Sequence, residues 1–218
     1  TISIVPPGVD LNLFRPMPTE IARQHINVDV GPHDWMVLFV GRIEPLKGVD
    51  TLIHAMSCLD LQVLHRPVHL AIIGGEPNAT PEDMSDEMTR LQKLCDDLVI
   101  GGMVIFLGKR GQDTLPYYYS AAEVVVMPSL YESFGMVALE AMACGTPIIH
   151  GNVPVLPEVV GAGGLGCALK NKEFFNPLNV WHNIVDIDDV VKKLEWAYND
   201  WKNNQSRELI NIGNKAKE

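Results

Sequence analysis

The feature that most restricts this chain is a repeated alternation of short, wholly apolar runs with longer stretches apolar at helical spacing. Trp35 to Val40 is such a run and ends in Gly41; Val68 to Ile73 ends in Gly74 and Gly75. Met103 to Leu107 and Val124 to Met127 follow, the latter stopped by Pro128, and Ile148 and Ile149 open another. Between them lie Val49 to Leu59, with Leu52, Ile53, Met56 and Leu59 on one helical face, then Asp83 to Leu98, Thr114 to Ala122 and Gly135 to Cys144. Gly145 and Pro147 stop the last of these. Strands apolar at every position are covered on both faces, so the pattern predicts an α/β fold, a Rossmann-like doubly wound parallel sheet. In such a sheet ligands sit beyond the C-terminal strand ends. The loops after Val40, Ile73, Leu107 and Met127 are therefore where function is expected.

Beyond Asn152 the pattern weakens, with glycines at 161, 163, 164 and 166, and one further amphipathic helix is predicted from Asp189 to about Trp201. The readings divide the chain into a Rossmann-like unit over 17–170 and a tail with that helix over 171–218. With 47% hydrophobic residues the chain can bury a sizeable core, and its net charge of −10 argues against a nucleic-acid or anionic-membrane surface. A single phosphate site needs only a few local donors and stays open. Four scattered cysteines without a C-x-x-C pair point away from disulfides and structural zinc, towards a reducing cytoplasm. No stretch reads as a membrane span or a secretory leader.

Three loops carry candidate chemistry, each with a plainer alternative. In Gly41 to Gly48, Arg42 and Lys47 stand five residues apart between glycines, a pairing suited to a diphosphate. The alternative is two solvated charges. The segment has neither the Walker A spacing nor G-x-G-x-x-G, which disfavours a dinucleotide enzyme. In Pro128 to Glu140, an acidic loop precedes a helix whose first N–H groups form an anion site. Glu132 and Glu140 can accept from sugar and ribose hydroxyls; alternatively Glu132 caps the helix and Glu140 is an exposed helical residue. Gly108-Lys109-Arg110-Gly111 can meet a nucleobase or be a solvated turn. Pro67 separates His65 from His69 and spoils their alignment as metal ligands, and Asp186-Ile187-Asp188-Asp189 reads as a helix N-cap rather than a metal site. Trp181, Trp196, Tyr198 and Trp201 read as core or as a face that packs on something else.

In this order the segments Phe39 to Asp50 and Tyr117 to Pro147 resemble the retaining family-4 glycosyltransferases of the GT-B fold. That group includes sucrose-phosphate synthases, bacterial UDP-sugar transferases and many mannosyltransferases. Val5 to Asp10, with Phe14 and Pro16, is similar to the hinge or first-strand region (1–16) where the family's C-terminal domain begins. The resemblance implies a donor-binding half whose acceptor-binding N-terminal domain, with its catalytic histidine, lies outside this sequence, so that this chain alone is inactive. It implies that Arg42 and Lys47 hold the donor diphosphate and that Glu132 lies against the transferred sugar. Gly41 and the backbone of Ser133, Phe134, Gly135, Met136 and Val137 would line the donor site, with Glu140 on the ribose and Arg110 by the base. It further implies retention without a bound metal or tightly held cofactor. The nucleotide-sugar donor is expected to be UDP-glucose, with GDP-mannose as the alternative and a stand-alone nucleotide-sugar-binding module as a third. The other expected partner is a sugar or sugar-phosphate acceptor, held through the missing domain together with any peripheral membrane contact. Pro154 and Val155 depart from the family where many members carry a glycine pair, and so does the stretch from Gly166 to Asn183.

Overall fold

The computed structural model describes residues 7–60, 64–80, 82–172, 182–204 and 211–212. Six parallel strands form one sheet: β1 (Trp35–Val40), β2 (Val68–Ile73), β3 (Val104–Gly108), β4 (Val124–Met127), β5 (Ile148–Gly151) and β6 (Gly164–Cys167). Their spatial order is β3-β2-β1-β4-β5-β6, so the direction of winding reverses between β1 and β4. The fold is the doubly wound α/β fold expected. Alternation along β1 shows why every residue had to be apolar. Trp35, Val37 and Phe39 enter one core layer, while Met36 and Leu38 enter the other.

Helices α2 (Val49–Ser57), α3 (Asp86–Asp97) and α7 (Ile187–Asn204) cover the first face. Helices α1 (Thr19–His25), α4 (Leu115–Ala121), α5 (Met136–Ala143) and α6 (Val155–Val160) cover the second. Helix α7 is no appendage: Val190, Leu194, Ala197 and Tyr198 are buried in the same core as β1 and α2. Tyr198 meets Trp35 edge-on, with ring centroids 5.6 Å apart. Trp201 lies against Tyr198 and beneath Arg66, and Trp196 is more exposed; Trp181 is outside the described residues. Asp186 Oδ1 accepts from the Asp188 N–H, the capping role read from the sequence.

Three elements around the main sheet escaped the periodicity, and so did a two-stranded pair beyond it. Helix α1 is short and held by the Arg23 hydrogen bonds, the buried Ala22 and the stacking of His25 on Tyr117 rather than by a long apolar stripe. Helix α6 looks broken by Pro154 and Pro157, but these fall at its cap and first turn, where a missing N–H costs nothing. Strand β6 is hidden by its glycines. A Cβ on Gly164 would strike the Val160 side chain and lie 2.8 Å from the Ile148 carbonyl oxygen, so glycine lets this edge strand close on β5 and α6. A small antiparallel pair, β7 (Leu169–Lys172) with β8 (His182–Val185), leads into α7.

At the N-terminal strand ends, opposite the expected site, Arg23 Nη2 bonds both oxygens of Glu123 at 2.9 and 3.1 Å. The same guanidinium donates to the carbonyls of Gly31, Asp34 and Ala121. Burial pushes the Glu123 carboxyl up to about 7, against the lowering effect of the Arg23 charge and the Met36 N–H. All four cysteines are unpaired, and burial raises the thiols of Cys95, Cys144 and Cys167. No described helix is long and apolar enough to cross a membrane.

Candidate donor site at the switch point

The loops after β1 and β4 are locked together above the reversal in strand order. The Leu130 N–H donates to the Leu46 carbonyl at 2.9 Å. Gly48 ends the first loop with φ of 66° and lies so close to Pro128 that any Cβ would meet the Pro128 carbonyl oxygen. The loops after β2 and β3 join by backbone bonds as well: Gly41 N–H to Ile73 O, Gly74 N–H to Gly108 O and Lys109 N–H to Gly75 O, all within 3.1 Å. Four loops far apart in sequence thus form one rim.

Two adjoining cavities open inside that rim. The first, of about 230 Å³, is lined by Phe39, Val40, Gly41, Arg42, Lys47, Met127, Ser129, and the run from Glu132 to Val137. The second, of about 350 Å³, is lined by Arg42, Lys109, Arg110, Ser85, Gly74, Gly75 and neighbouring apolar residues. They share Val40, Gly41 and Arg42. The site residues named from sequence therefore assemble: Gly41, Arg42, Lys47, Glu132, Ser133, Phe134, Gly135, Met136 and Val137 around the first lobe, Arg110 in the second.

One wall of the first lobe has the chemistry to suit an anion. Helix α5 starts at Gly135, which has φ of 86° and no side chain capping it, so its first-turn N–H groups stand at a cavity lined by Gly135, Met136 and Val137. Across from it, Lys47 Nζ donates to Glu132 Oε2 at 2.7 Å, with 18% and 14% of the two side chains exposed. The second Glu132 oxygen accepts from the Ser133 N–H at 3.2 Å. Glu132 is thus held by a cation, and the capping alternative for it does not describe what its carboxylate does. The Arg42 side chain is 76% exposed, pairs with Glu44 and borders both lobes.

In the second lobe Arg110 is fixed rather than mobile. Its Nε donates to the Tyr118 hydroxyl at 2.9 Å, its Nη1 to the Lys109 carbonyl, and its guanidinium lies over the Tyr118 ring. Lys109 is exposed and paired with Glu76. Ser85, which caps α3 through the Met88 N–H, reaches this lobe too. The sequence reading passed over Ser85 because it began that helix at Asp83. Ser129, also missed, lines the first lobe from a serine that nothing in the pattern distinguishes.

Glu140 lines neither lobe. It is 6% exposed, not the exposed helical residue of the plainer alternative, and its Oε2 accepts from the Tyr119 hydroxyl at 2.7 Å. Burial raises its carboxyl above the usual range, while the Tyr119 bond pulls it back down. Tyr119 itself is pushed well above an ordinary phenol by burial and by Glu140, so it remains the donor. Among the described residues, no cluster of three or more His, Cys, Asp or Glu side chains could hold a metal ion.

The same assembly has known counterparts. Residues 22–216 match the family model described as glycosyl transferases group 1. A D-inositol 3-phosphate glycosyltransferase of Gordonia bronchialis is 40% identical over 167 residues, which is 76% of this chain and 35% of that protein. A sucrose-phosphate synthase from Thermosynechococcus elongatus superposes with a TM-score of 0.74 at 30% identity, covering 96% of this chain and 45% of its own. The C-terminal domain of a group 1 glycosyl transferase, LpcC, from Francisella tularensis, is matched over 95% of its length with a TM-score of 0.71 at 22% identity. The chain thus spans about a third of its curated relative and nearly all of a separately crystallised C-terminal domain. The Rossmann-like sheet is that of a GT-B glycosyltransferase, and the chain belongs to the group 1 glycosyl transferase family.

Proposed function

We propose that this chain binds the nucleotide-sugar donor of a retaining hexosyltransferase. The observation that carries the reading is the first lobe, where an uncapped helix N-terminus faces two cations and a held carboxylate over the switch point. A diphosphate placed between α5 and Arg42 would receive backbone N–H bonds on one side and a bidentate guanidinium on the other. Lys47 would then move from Glu132 to phosphate oxygen as the leaving nucleotide gains charge, doing without a metal what a metal does elsewhere. Glu132, released from Lys47, would accept from hydroxyls of the hexose. The nucleoside would extend into the second lobe beneath Arg110, with its ribose towards Glu140.

UDP-glucose is the favoured donor, supported by the likeness to a sucrose-phosphate synthase. Transfer to an acceptor would require a second domain, since the chain covers about a third of its curated relative. By itself the chain would be a binding module. Calorimetric titration with UDP-glucose, GDP-mannose and ADP-glucose tests the donor, and tightest binding of UDP-glucose is expected. Lys47→Ala and Glu140→Ala are expected each to weaken binding while melting as the parent does. Unchanged affinity in both variants would remove the site assignment. Transfer of glucose to acceptors by this chain alone would remove the binding-module reading, and a product of inverted anomeric configuration from the full-length protein would remove retention.

A further inference from the structure

We propose that Tyr119 is a positioning residue for ribose: by donating to Glu140 Oε2 it fixes the carboxylate so that Oε1 is the acceptor offered to the ribose diol, and it thereby sets the preference for ribonucleotide over 2′-deoxyribonucleotide donors. The inference rests on the reading of Glu140 as the ribose acceptor.

Placement comes first. Glu140 lies one helical turn beyond Met136 and Val137, which line the first lobe, and on the same side of α5. Tyr119 lies one turn beyond Leu115, which lines the second lobe, and on the same side of α4. The Tyr119–Glu140 contact therefore lies one helical turn behind residues of both lobes, and on the proposed reading the ribose of a nucleoside diphosphate spanning them turns towards it.

The bracket is rigid on the tyrosine side. The Tyr119 carbonyl accepts from Thr146 Oγ1 at 2.7 Å, its ring packs against Phe14 at 6.2 Å, and it is fully buried. Among the described residues only Oε2 of Glu140 is engaged, and no cation pairs with it. A carboxylate buried with one neutral donor is an expensive way to fill space. It becomes economical where an incoming diol completes the remaining hydrogen bonds. The titratable groups facing Glu140 are Tyr119 from α4 and Cys144 from the end of its own helix.

The test compares UDP with 2′-deoxy-UDP by calorimetry, or GDP with 2′-deoxy-GDP if guanine nucleotides bind more tightly, on the parent, Tyr119→Phe, Glu140→Gln and the double variant. The parent should prefer the ribonucleotide by roughly tenfold to a hundredfold, the range of one hydrogen bond to a charged group. Tyr119→Phe should shrink that preference to a few-fold, Glu140→Gln should shrink it as far or further, and the double variant should match Glu140→Gln alone. Affinity for UDP-glucose followed against pH adds a readout that loose packing does not move: without the tyrosine donor, acid weakening should begin at higher pH. Should Tyr119→Phe fail to fold, 3,5-difluorotyrosine at position 119 keeps the ring and strengthens the donor, and the acid limb should move to lower pH. An unchanged preference and an unmoved acid limb on altering Tyr119, with the preference lost in Glu140→Gln, would overturn the role of Tyr119 and leave the ribose reading standing. A parental preference retained in Glu140→Gln, or no binding of either nucleotide pair, would overturn the ribose reading and this inference with it.

Discussion

Gly48→Ala should damage stability and donor binding together, and Gly135→Ala supplies the matched control. Both glycines are left-handed, Gly48 at φ 66°, ψ 28° and Gly135 at φ 86°, ψ 38°. Alanine at either therefore carries the same conformational cost of about 1–2 kcal/mol, offset by about 0.4–1 kcal/mol of unfolded-chain entropy. What differs is the neighbour. A Cβ at 48 meets the Pro128 carbonyl oxygen, which is backbone and cannot turn aside, whereas at 135 it lies 3.1 Å from Leu156 Cδ2, the end of a side chain that can. Overpacking of the first kind adds about 1–3 kcal/mol.

The expected difference between the variants is thus about 1–3 kcal/mol, or about 2–12 °C in melting temperature for a domain of this size. The functional consequence follows from the same contact. Pro128 precedes the loop that carries Glu132, and Lys47 precedes Gly48, so relieving the clash pushes apart the two strand ends that hold the 2.7 Å Lys47–Glu132 contact. Gly48→Ala should weaken UDP-glucose binding by tenfold or more, taking about 1.4 kcal/mol per decade, while Gly135→Ala, whose new methyl points at Leu156, should weaken it far less. Thermal unfolding and calorimetry of the two proteins side by side decide it. Equal melting temperatures and equal affinities would refute the view that the two loops are held by backbone contact at Gly48.

Two further outcomes are expected. Arg23→Met should cost about 3–5 kcal/mol by stranding Glu123. Because the raised folded-state value of Glu123 then rises further, stability should be retained below the unfolded carboxyl range and lost as pH climbs through the folded value; urea denaturation at pH 5.5 and 8 checks this, and an equal loss at both contradicts it. Val99 has φ of 57° and is 90% exposed at the end of α3, with its N–H on Asp96 O and that of Ile100 on Cys95 O, a helix-ending pair of bonds that favours glycine. Val99→Gly or Val99→Asn should raise stability by about 0.5–1 kcal/mol, and a fall in melting temperature for both would show that Val99 makes a contact worth more than its backbone strain.

The division between what could and could not be read from the chain follows the range over which each signal acts. The apolar runs from Trp35 to Val40 and from Val124 to Met127 are legible because burial on both faces leaves no polar position. The loops after them are legible because glycine and clustered charge mark them locally. Arg23, by contrast, acts across 100 residues to reach Glu123, and nothing near either residue in sequence betrays the pair. Strand β6 was lost because its glycines answer to Val160, Ile148 and Asn152 rather than to their neighbours in the chain. Tyr119 is the middle of no pattern at all: three tyrosines in a row face a ring stack, a guanidinium and a buried carboxylate respectively.

The two glutamates illustrate the limit most sharply, since a spacing of eight residues describes them identically and the structure sets them in opposite circumstances. Glu132 is paired with a lysine at the cavity wall, so its charge is already compensated before a donor arrives. On the proposed reading, binding a diphosphate there would be an exchange of partners for Lys47, and its net gain would be the difference between two charge-assisted contacts. Glu140 is buried against a neutral hydroxyl, so on the same reading a ribose diol would add bonds without breaking an ion pair. On that reasoning the loss of affinity in Glu132→Gln should be modest, because the lysine it frees becomes available to phosphate, whereas Glu140→Gln should lose more despite lying farther from the reacting centre. The reverse order, measured with UDP in place of UDP-glucose so that no hexose contact contributes, would mean that the ion pair holds the cavity open rather than competing with the ligand for Lys47.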